Sequence, residues 1–157
     1  MHRRRRMNRT DYRTRLKFVK SKKIRIVIRK SLSHTRMQFI EFNTDGDKTI
    51  VTACTSGLGK FGWKTGTGNL PSAYLVGLLA GKKAKEKNIT EAILDIGLQR
   101  STKGNRIYAA LKGLVDSGIN INHDKKMFPS DERISGKHIK NFDVDKFEEV
   151  KKKILSD

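Results

Sequence analysis

A single cysteine, Cys54, stands in 157 residues. That excludes an internal disulfide framework and a cysteine-ligated zinc, so a reducing compartment is the simpler inference. At the end of an alternating apolar run, Cys54 is expected to be a small core residue rather than a reactive thiol. Also missing is any run near the ~18 apolar residues that a membrane-spanning helix needs. The arginines at the start have no apolar segment behind them to make a secretory signal. The chain is therefore expected to stay where it is made, with no membrane partner. Acids are scarce as well: 16 Asp and Glu face 35 Lys and Arg, for a formal charge of +19. A field of that strength draws polyanions, which makes nucleic acid the first partner to consider.

The excess charge is unevenly placed. Up to residue 36 the only acid is Asp11, against 15 basic residues, whereas from residue 37 onward 20 basic residues face 15 acids. Residues 1–23, "MHRRRRMNRTDYRTRLKFVKSKK", form a basic arm. Arg3, Arg4, Arg5 and Arg6 make a block, followed by Arg9, Arg13, Arg15, Lys22 and Lys23, with Tyr12, Leu16, Phe18 and Val19 interleaved. A purely basic run is ordinarily a solvated tail. The interleaved apolar and aromatic residues favour an arm that orders on a nucleic acid, with guanidinium groups on phosphates and a ring free to stack.

Beyond the arm the pattern becomes that of a folded α/β unit over residues 24–122. In "KIRIVIR", Ile24, Ile26 and Ile28 alternate with Lys23, Arg25, Val27 and Arg29, a strand with one apolar and one largely basic face. Arg25 and Arg29 would continue the arm's surface onto the sheet. "RMQFIEFN" and "DKTIVTAC" are two more strands, joined through Asp45 and Gly46 as a hairpin. Asn69 and Pro71 open a helix that is apolar nearly all round, and Ala73, Gly77, Gly81 and Ala84 give it a small-residue stripe suited to lying close to a sheet. Ala92–Ile96 reads as a strand buried inside a sheet, and "GNRIYAALKGLVDSG" as a second helix stopped by Gly118. The expected fold is a mixed sheet of three antiparallel strands plus one more, in β-β-β-α-β-α order. A C-terminal extension, residues 123–157, carries a short helix with Phe147, Val150, Ile154 and Leu155 on one side, a face suited to a partner.

Three enzymatic readings fail on spacing. Gly57, Gly59 and Gly62 match G-x-G-x-x-G, but the next helix cannot begin before about Asn69 and the preceding strand belongs to a hairpin, so a dinucleotide site is not expected. No G-x-x-x-x-G-K-[ST] is present. A nuclease of the ribonuclease-H type needs carboxylates on its first strand, and "KIRIVIRK" has none; Asp95 is read instead as a hydrogen-bonded structural group. His2, His34, His123 and His138 are scattered without metal-ligand spacing. The chain is expected to be no enzyme, with no cofactor, metal or small-molecule substrate. Lys60 and Lys64, alternating with Phe61 and Trp63 in the glycine-rich segment, suit a close approach to a phosphate backbone. A general structured-RNA-binding module remains open beside the nuclease as an alternative.

The arm "RRRRMNRTDYRTRLKFV", the segment "KFGWKTGTGNLPSAYLVGLLAGKKA", the stretch "ILDIGLQRSTKGNRIYAALKGLVDSGININH" and the tail "MFPSDERISGKHI" closely resemble the large-subunit ribosomal protein eighteen family in its archaeal form. The matches are long, collinear and include irregular loop sequence. The resemblance implies a structural constituent of the large subunit, cytoplasmic in the ribosome. It implies 5S rRNA as partner, attached to the large-subunit rRNA in the central protuberance beside neighbouring ribosomal proteins. Carried over residue by residue, it implies RNA contacts at Arg3, Arg4, Arg5, Arg6, Arg9, Tyr12, Arg13 and Arg15 in the arm. In the first-strand element "RKSLSH" it implies Arg29, Ser31 and His34, with Gln38 nearby. Further contacts are expected at Lys60, Gly62, Lys64 and Asn69, and at Arg100, Lys103 and Arg106 of "RSTKGNR".

Overall fold

The computed structural model describes residues 3–140 and 142–156; His2 lies outside them. The first strand, β1 (Arg25–Lys30), pairs antiparallel with β2 (Thr35–Glu41), which pairs antiparallel with β3 (Lys48–Cys54). After α3 (Leu70–Glu86), β4 (Ile93–Asp95) returns parallel to β1, and α4 (Arg106–Asp116) follows. Spatial order is β3-β2-β1-β4, so the expected mixed sheet and β-β-β-α-β-α order hold. The fourth strand differs from expectation: it is three residues long and sits at an edge. An apolar run does not state sheet position, and at this edge Ala92 is buried in the main core while Ile93 and Leu94 are half-buried.

Residues alternate across β1. Ile26 and Ile28, with Met37 and Phe39 from β2, are fully buried against α3 and α4. Each such side chain contributes about 1.5–3 kcal/mol by burial. On the opposite face lie Arg25, Val27 and Arg29. The two glycines of the α3 small-residue stripe, Gly77 and Gly81, meet α4 and its C-terminal end rather than the sheet. A Cβ on Gly77 would stand 2.2 Å from the Ala110 carbonyl oxygen, and one on Gly113 would stand 2.3 Å from that of Tyr74. The helices approach backbone to backbone, and a methyl group at either glycine would force them apart.

The helix α3 is apolar all round because it is covered on two sides. Ala73, Val76, Ala80 and Ala84 join the sheet-side core, while Tyr74, Leu75, Leu78 and Leu79 join a second cluster with Leu58 and Trp63. That cluster is completed by Phe147, Val150 and Ile154 of α6 (Val144–Ser156). The tail helix therefore directs its apolar face at its own chain, not at a partner, and Leu155 alone of its predicted face is exposed. Between α4 and α6 lie a 3-10 turn, Lys125–Met127, and the short α5 (Asp131–Ile134).

Two helices form in the basic arm, α1 (Arg3–Arg6) and α2 (Tyr12–Ser21). Asp11 caps α2: its carboxylate accepts from the amides of Arg13 and Thr14 and from the Thr14 hydroxyl, and the Thr14 bonds hold its pKa below the ordinary value. The glycine-rich stretch is a 3-10 segment, Thr55–Phe61, closed by Gly62 at φ +88°, and Cys54 before it is half-buried. Asn69 then caps α3 by accepting from the Ser72 amide at 3.0 Å. β3 runs into this 3-10 turn and not into an α-helix, which begins only at Leu70, so the strand-to-helix turn that a pyrophosphate cradle requires is not formed at Gly57, Gly59 and Gly62.

Candidate nucleic-acid interface

A chain of alternating charges ties the arm to the sheet. Arg15 of α2 reaches Asp47 at 2.9 Å; Asp47, in the β2–β3 turn, also takes Arg25 at 2.7 Å. Arg25 continues to Asp95 at the end of β4, at 3.1 Å, and Asp95 takes Arg29 at 3.0 Å. Three guanidinium groups and two carboxylates thus alternate across four elements. Arg25 at the centre is 5% exposed, which corrects the expectation that it lies on an open basic face: its charge is engaged by two buried or half-buried acids. Asp95 is the structural group its sequence context suggested, accepting in addition from the Gly97 amide at 2.8 Å.

This network orients Arg29. Its Nη1 donates to the carbonyl oxygens of Ile28 and Asp95, and its Nη2 to the Asp95 carboxylate. Five donors belong to a guanidinium; Nε–H and one Nη2–H therefore remain for a ligand. Gly97, at φ +62°, leaves the room: a Cβ there would stand 2.9 Å from the guanidinium carbon. Beside β1's end, Gln99 donates to the Ile28 carbonyl and accepts from the Lys30 amide, extending the pairing that the short β4 stops making.

Arg4, Arg9, Arg15 and Arg29 line one cavity of about 160 Å³ between the arm and the sheet, together with Asp11 and Asp95. Both carboxylates are already bonded, Asp11 within the α2 cap and Asp95 to arginines. Arg4 donates to Thr10 at 3.0 Å, and Arg9 has no side-chain partner among the described residues. The cavity therefore presents surplus positive charge and unused N–H donors, the chemistry that holds a phosphate. Arg3, Arg5 and Arg6 are exposed on α1, and Arg13 on α2, around it.

The outer sheet face continues this surface. Arg29 stands opposite Arg36 in the β1–β2 register, and Val27 opposite Gln38. Like charges opposed across a sheet destabilise it unless an anion joins them. Arg36 is exposed and was missed by sequence reading. A signal for it existed, because His34, Arg36 and Gln38 share one strand parity.

The remaining predicted residues separate from this centre. Ser31 and His34 close the β1–β2 turn: the His34 amide donates to the Ser31 hydroxyl at 3.0 Å, and the Ser31 amide to the His34 carbonyl at 2.7 Å. Arg106 grips the turn, donating to the carbonyl oxygens of Ser31, Leu32 and Gly68. Leu32 is thereby held outward, 94% exposed. Asn69 is occupied as a helix cap and Lys23 pairs with Glu91; Lys22 is the left-handed C-cap of α2, and Tyr12 opens that helix half-buried. Lys60, Gly62 and Lys64 are exposed beyond β3, and Arg100 and Lys103 on the loop before α4. The structure does not gather these last five residues into the arm cavity.

Among the described residues no group of three or more His, Cys, Asp or Glu could hold a metal ion, and no helix is long and apolar enough to cross a membrane.

The family model for "Ribosomal large subunit proteins 60S L5, and 50S L18" matches residues 1–92 and 82–124. A large ribosomal subunit protein uL18 of Korarchaeum cryptofilum is 49% identical over 94% of this chain and 75% of its own length. Its counterpart in Methanococcoides burtonii is 44% identical over 99% of this chain and 92% of its own length. With a basic arm docked on a mixed α/β core and this similarity along nearly its whole length, the chain belongs to the uL18 family of large-subunit ribosomal proteins in its archaeal form.

Proposed function

We propose that this protein binds 5S rRNA and attaches it to the large-subunit rRNA in the central protuberance of the ribosome. Family membership supplies the coarser statement, a structural role in the large ribosomal subunit with rRNA and ribosomal proteins as partners. The finer statement rests on one observation above all: Arg4, Arg9, Arg15 and Arg29 converge on a single cavity at the junction of arm and sheet.

In this reading the arm and the sheet act as one surface. Arg29, fixed by Asp95, and Arg9, without a partner, take phosphate oxygens in the cavity; Arg36 and Gln38 extend the contact along the sheet. The alternating ion pairs set the arm's position before RNA arrives, which lowers the ordering cost of binding. Arg3, Arg5, Arg6 and Arg13 add phosphate contacts around the rim, and Lys60, Lys64 and Arg100 contribute as outlying ones. Specificity comes from the shape and looped features of the folded RNA, since phosphate contacts carry no sequence information themselves. The protein acts by binding and positioning, with no enzymatic step.

The deciding experiment compares binding to 5S rRNA with binding to a structured RNA of equal length, at moderate salt with magnesium, checking the RNA for cleavage. A strong preference for intact 5S rRNA is expected. Equal binding to both RNAs would reduce the protein to a general basic module, and cleavage would restore the nuclease alternative.

A further inference from the structure

A second basic surface lies on the other side of the molecule. The arm cavity sits on the Arg25–Arg29 face of the sheet, whereas α3 and α4 cover the Ile26–Ile28 face. On the outer side of α4, the segment 123–130 forms a groove of about 630 Å³ with Lys103, Lys125 and Lys126 on its walls. His123 and Phe128 line it as a ring pair, centroids 4.9 Å apart and tilted by 34°.

The charges in this groove are unequally engaged. Asp131 is taken by Lys112 and Asp116 accepts from the Tyr74 hydroxyl at 2.8 Å. Asp124, at the groove's end, is folded into its own turn, accepting from the Lys126 amide at 2.9 Å. Lys103, Lys125 and Lys126 have no side-chain partner among the described residues. The walls are tied together, since the Gly104 amide donates to the Met127 carbonyl at 3.0 Å, so the groove is built without a ligand. His123 is oriented too: a carbonyl oxygen can only accept, so its Nδ1–H donates to Ile121 O at 2.6 Å. In the neutral ring Nε2 is then an acceptor.

We infer that this groove binds a single-stranded or looped RNA segment, with a base stacked on the His123–Phe128 pair and adjacent phosphates on Lys103, Lys125 and Lys126. Unpaired cations beside an aromatic platform are the combination that tracks a nucleic-acid strand. The Nε2 acceptor suits a base amino group or a ribose hydroxyl. An acidic peptide would satisfy the lysines but has no use for a ring platform. The inference rests on the proposed RNA-binding role and adds a second contact, on the face away from the arm.

The test uses the full chain saturated with 5S rRNA, titrated with a fluorescein-labelled oligouridine of eight nucleotides and followed by anisotropy. Phe128→Leu keeps apolar bulk and removes the ring; its oligonucleotide affinity is expected to fall about fivefold or more with the salt slope unchanged. Lys125→Glu with Lys126→Glu, both at exposed positions, should weaken binding and reduce the salt slope by roughly 1.4. Affinity for 5S rRNA should be unchanged in both variants. Oligonucleotide binding by Phe128→Leu equal to that of the parent overturns the stacking site, as does an equal loss of 5S rRNA affinity. Displacement of the oligonucleotide by polyglutamate, equally in parent and Phe128→Leu, would assign the groove to an acidic protein segment instead. Failure of the parent to prefer 5S rRNA would defeat the first proposal alone, because oligonucleotide binding is read separately.

Discussion

Arg25 lies 3.1 Å from Asp95, both nearly excluded from solvent, and each has one further ionic partner, Asp47 at 2.7 Å from Arg25 and Arg29 at 3.0 Å from Asp95. Asp95 also fixes Arg29, so one carboxylate joins the interior of the sheet to a guanidinium that faces the arm cavity. Removing it should therefore affect fold and binding together.

Asp95→Asn removes the charge while keeping the shape. Breaking a buried ion pair from one side costs about 3–5 kcal/mol, because the remaining charge stays uncompensated. Asp47 still neutralises part of Arg25, so a loss at the lower end is expected, about 3 kcal/mol, lowering the melting temperature by roughly 6–12 °C for a chain of this size. A calorimetric scan showing an unchanged melting temperature would mean that the network carries no stability.

Arg36→Ala separates binding from folding. Arg36 is exposed and has no carboxylate partner among the described residues, and its neighbour across the strands is Arg29. Stability should change little or rise slightly as like-charge repulsion is relieved. Affinity for 5S rRNA should fall, and the slope of log affinity against log salt should shrink by roughly 0.7 to 0.9 if one phosphate contact is lost. A filter-binding series at four salt concentrations measures both quantities; a slope equal to the parent's would take Arg36 out of the interface.

Much of this surface was legible in the sequence and some was not, for physical reasons. The Asn69 cap, the Asp45–Gly46 hairpin and the alternation of β1 and β2 are local features, and each lies where local chemistry put it. Arg25 read as exposed because its partners, Asp47 and Asp95, are 22 and 70 residues away. The same distance effect concealed the tail helix: its apolar face was plain, but not that Leu75, Leu78 and Leu79 await it. In the arm, high charge obscured an Asp11 cap that marks the start of α2.

The lone thiol offers a native reporter of the sheet face. Cys54 is half-buried and stands opposite Arg36 in the β2–β3 register. Burial pushes its pKa up, but bonds with Ser56 and the nearby Arg36 guanidinium outweigh this and leave it below the ordinary value. Iodoacetamide should accordingly alkylate the free protein at neutral pH, and saturation with 5S rRNA should slow the reaction severalfold by covering Arg36 and its surroundings. Equal alkylation rates with and without RNA, followed by mass spectrometry, would place the bound RNA away from this part of the sheet.

Tyr74 provides a test of the second core cluster by pH. Burial, and then the hydrogen bond its hydroxyl donates to Asp116, push its pKa well above the ordinary value of 10.0. In the folded chain the ring stays protonated where the unfolded chain has already ionised, so the unfolded state holds fewer protons above that value. Stability contributed by the neutral phenol is complete below pH 10 and declines as pH rises beyond it toward the folded-state pKa. Tyr74→Phe cannot ionise, although it leaves Asp116 without this donor. The substituted protein should be less stable than the parent at pH 8, and the gap should narrow between pH 10 and 11. Urea unfolding at the three pH values measures the difference; a gap that is constant across them would show that burial of Tyr74 does not oppose its ionisation.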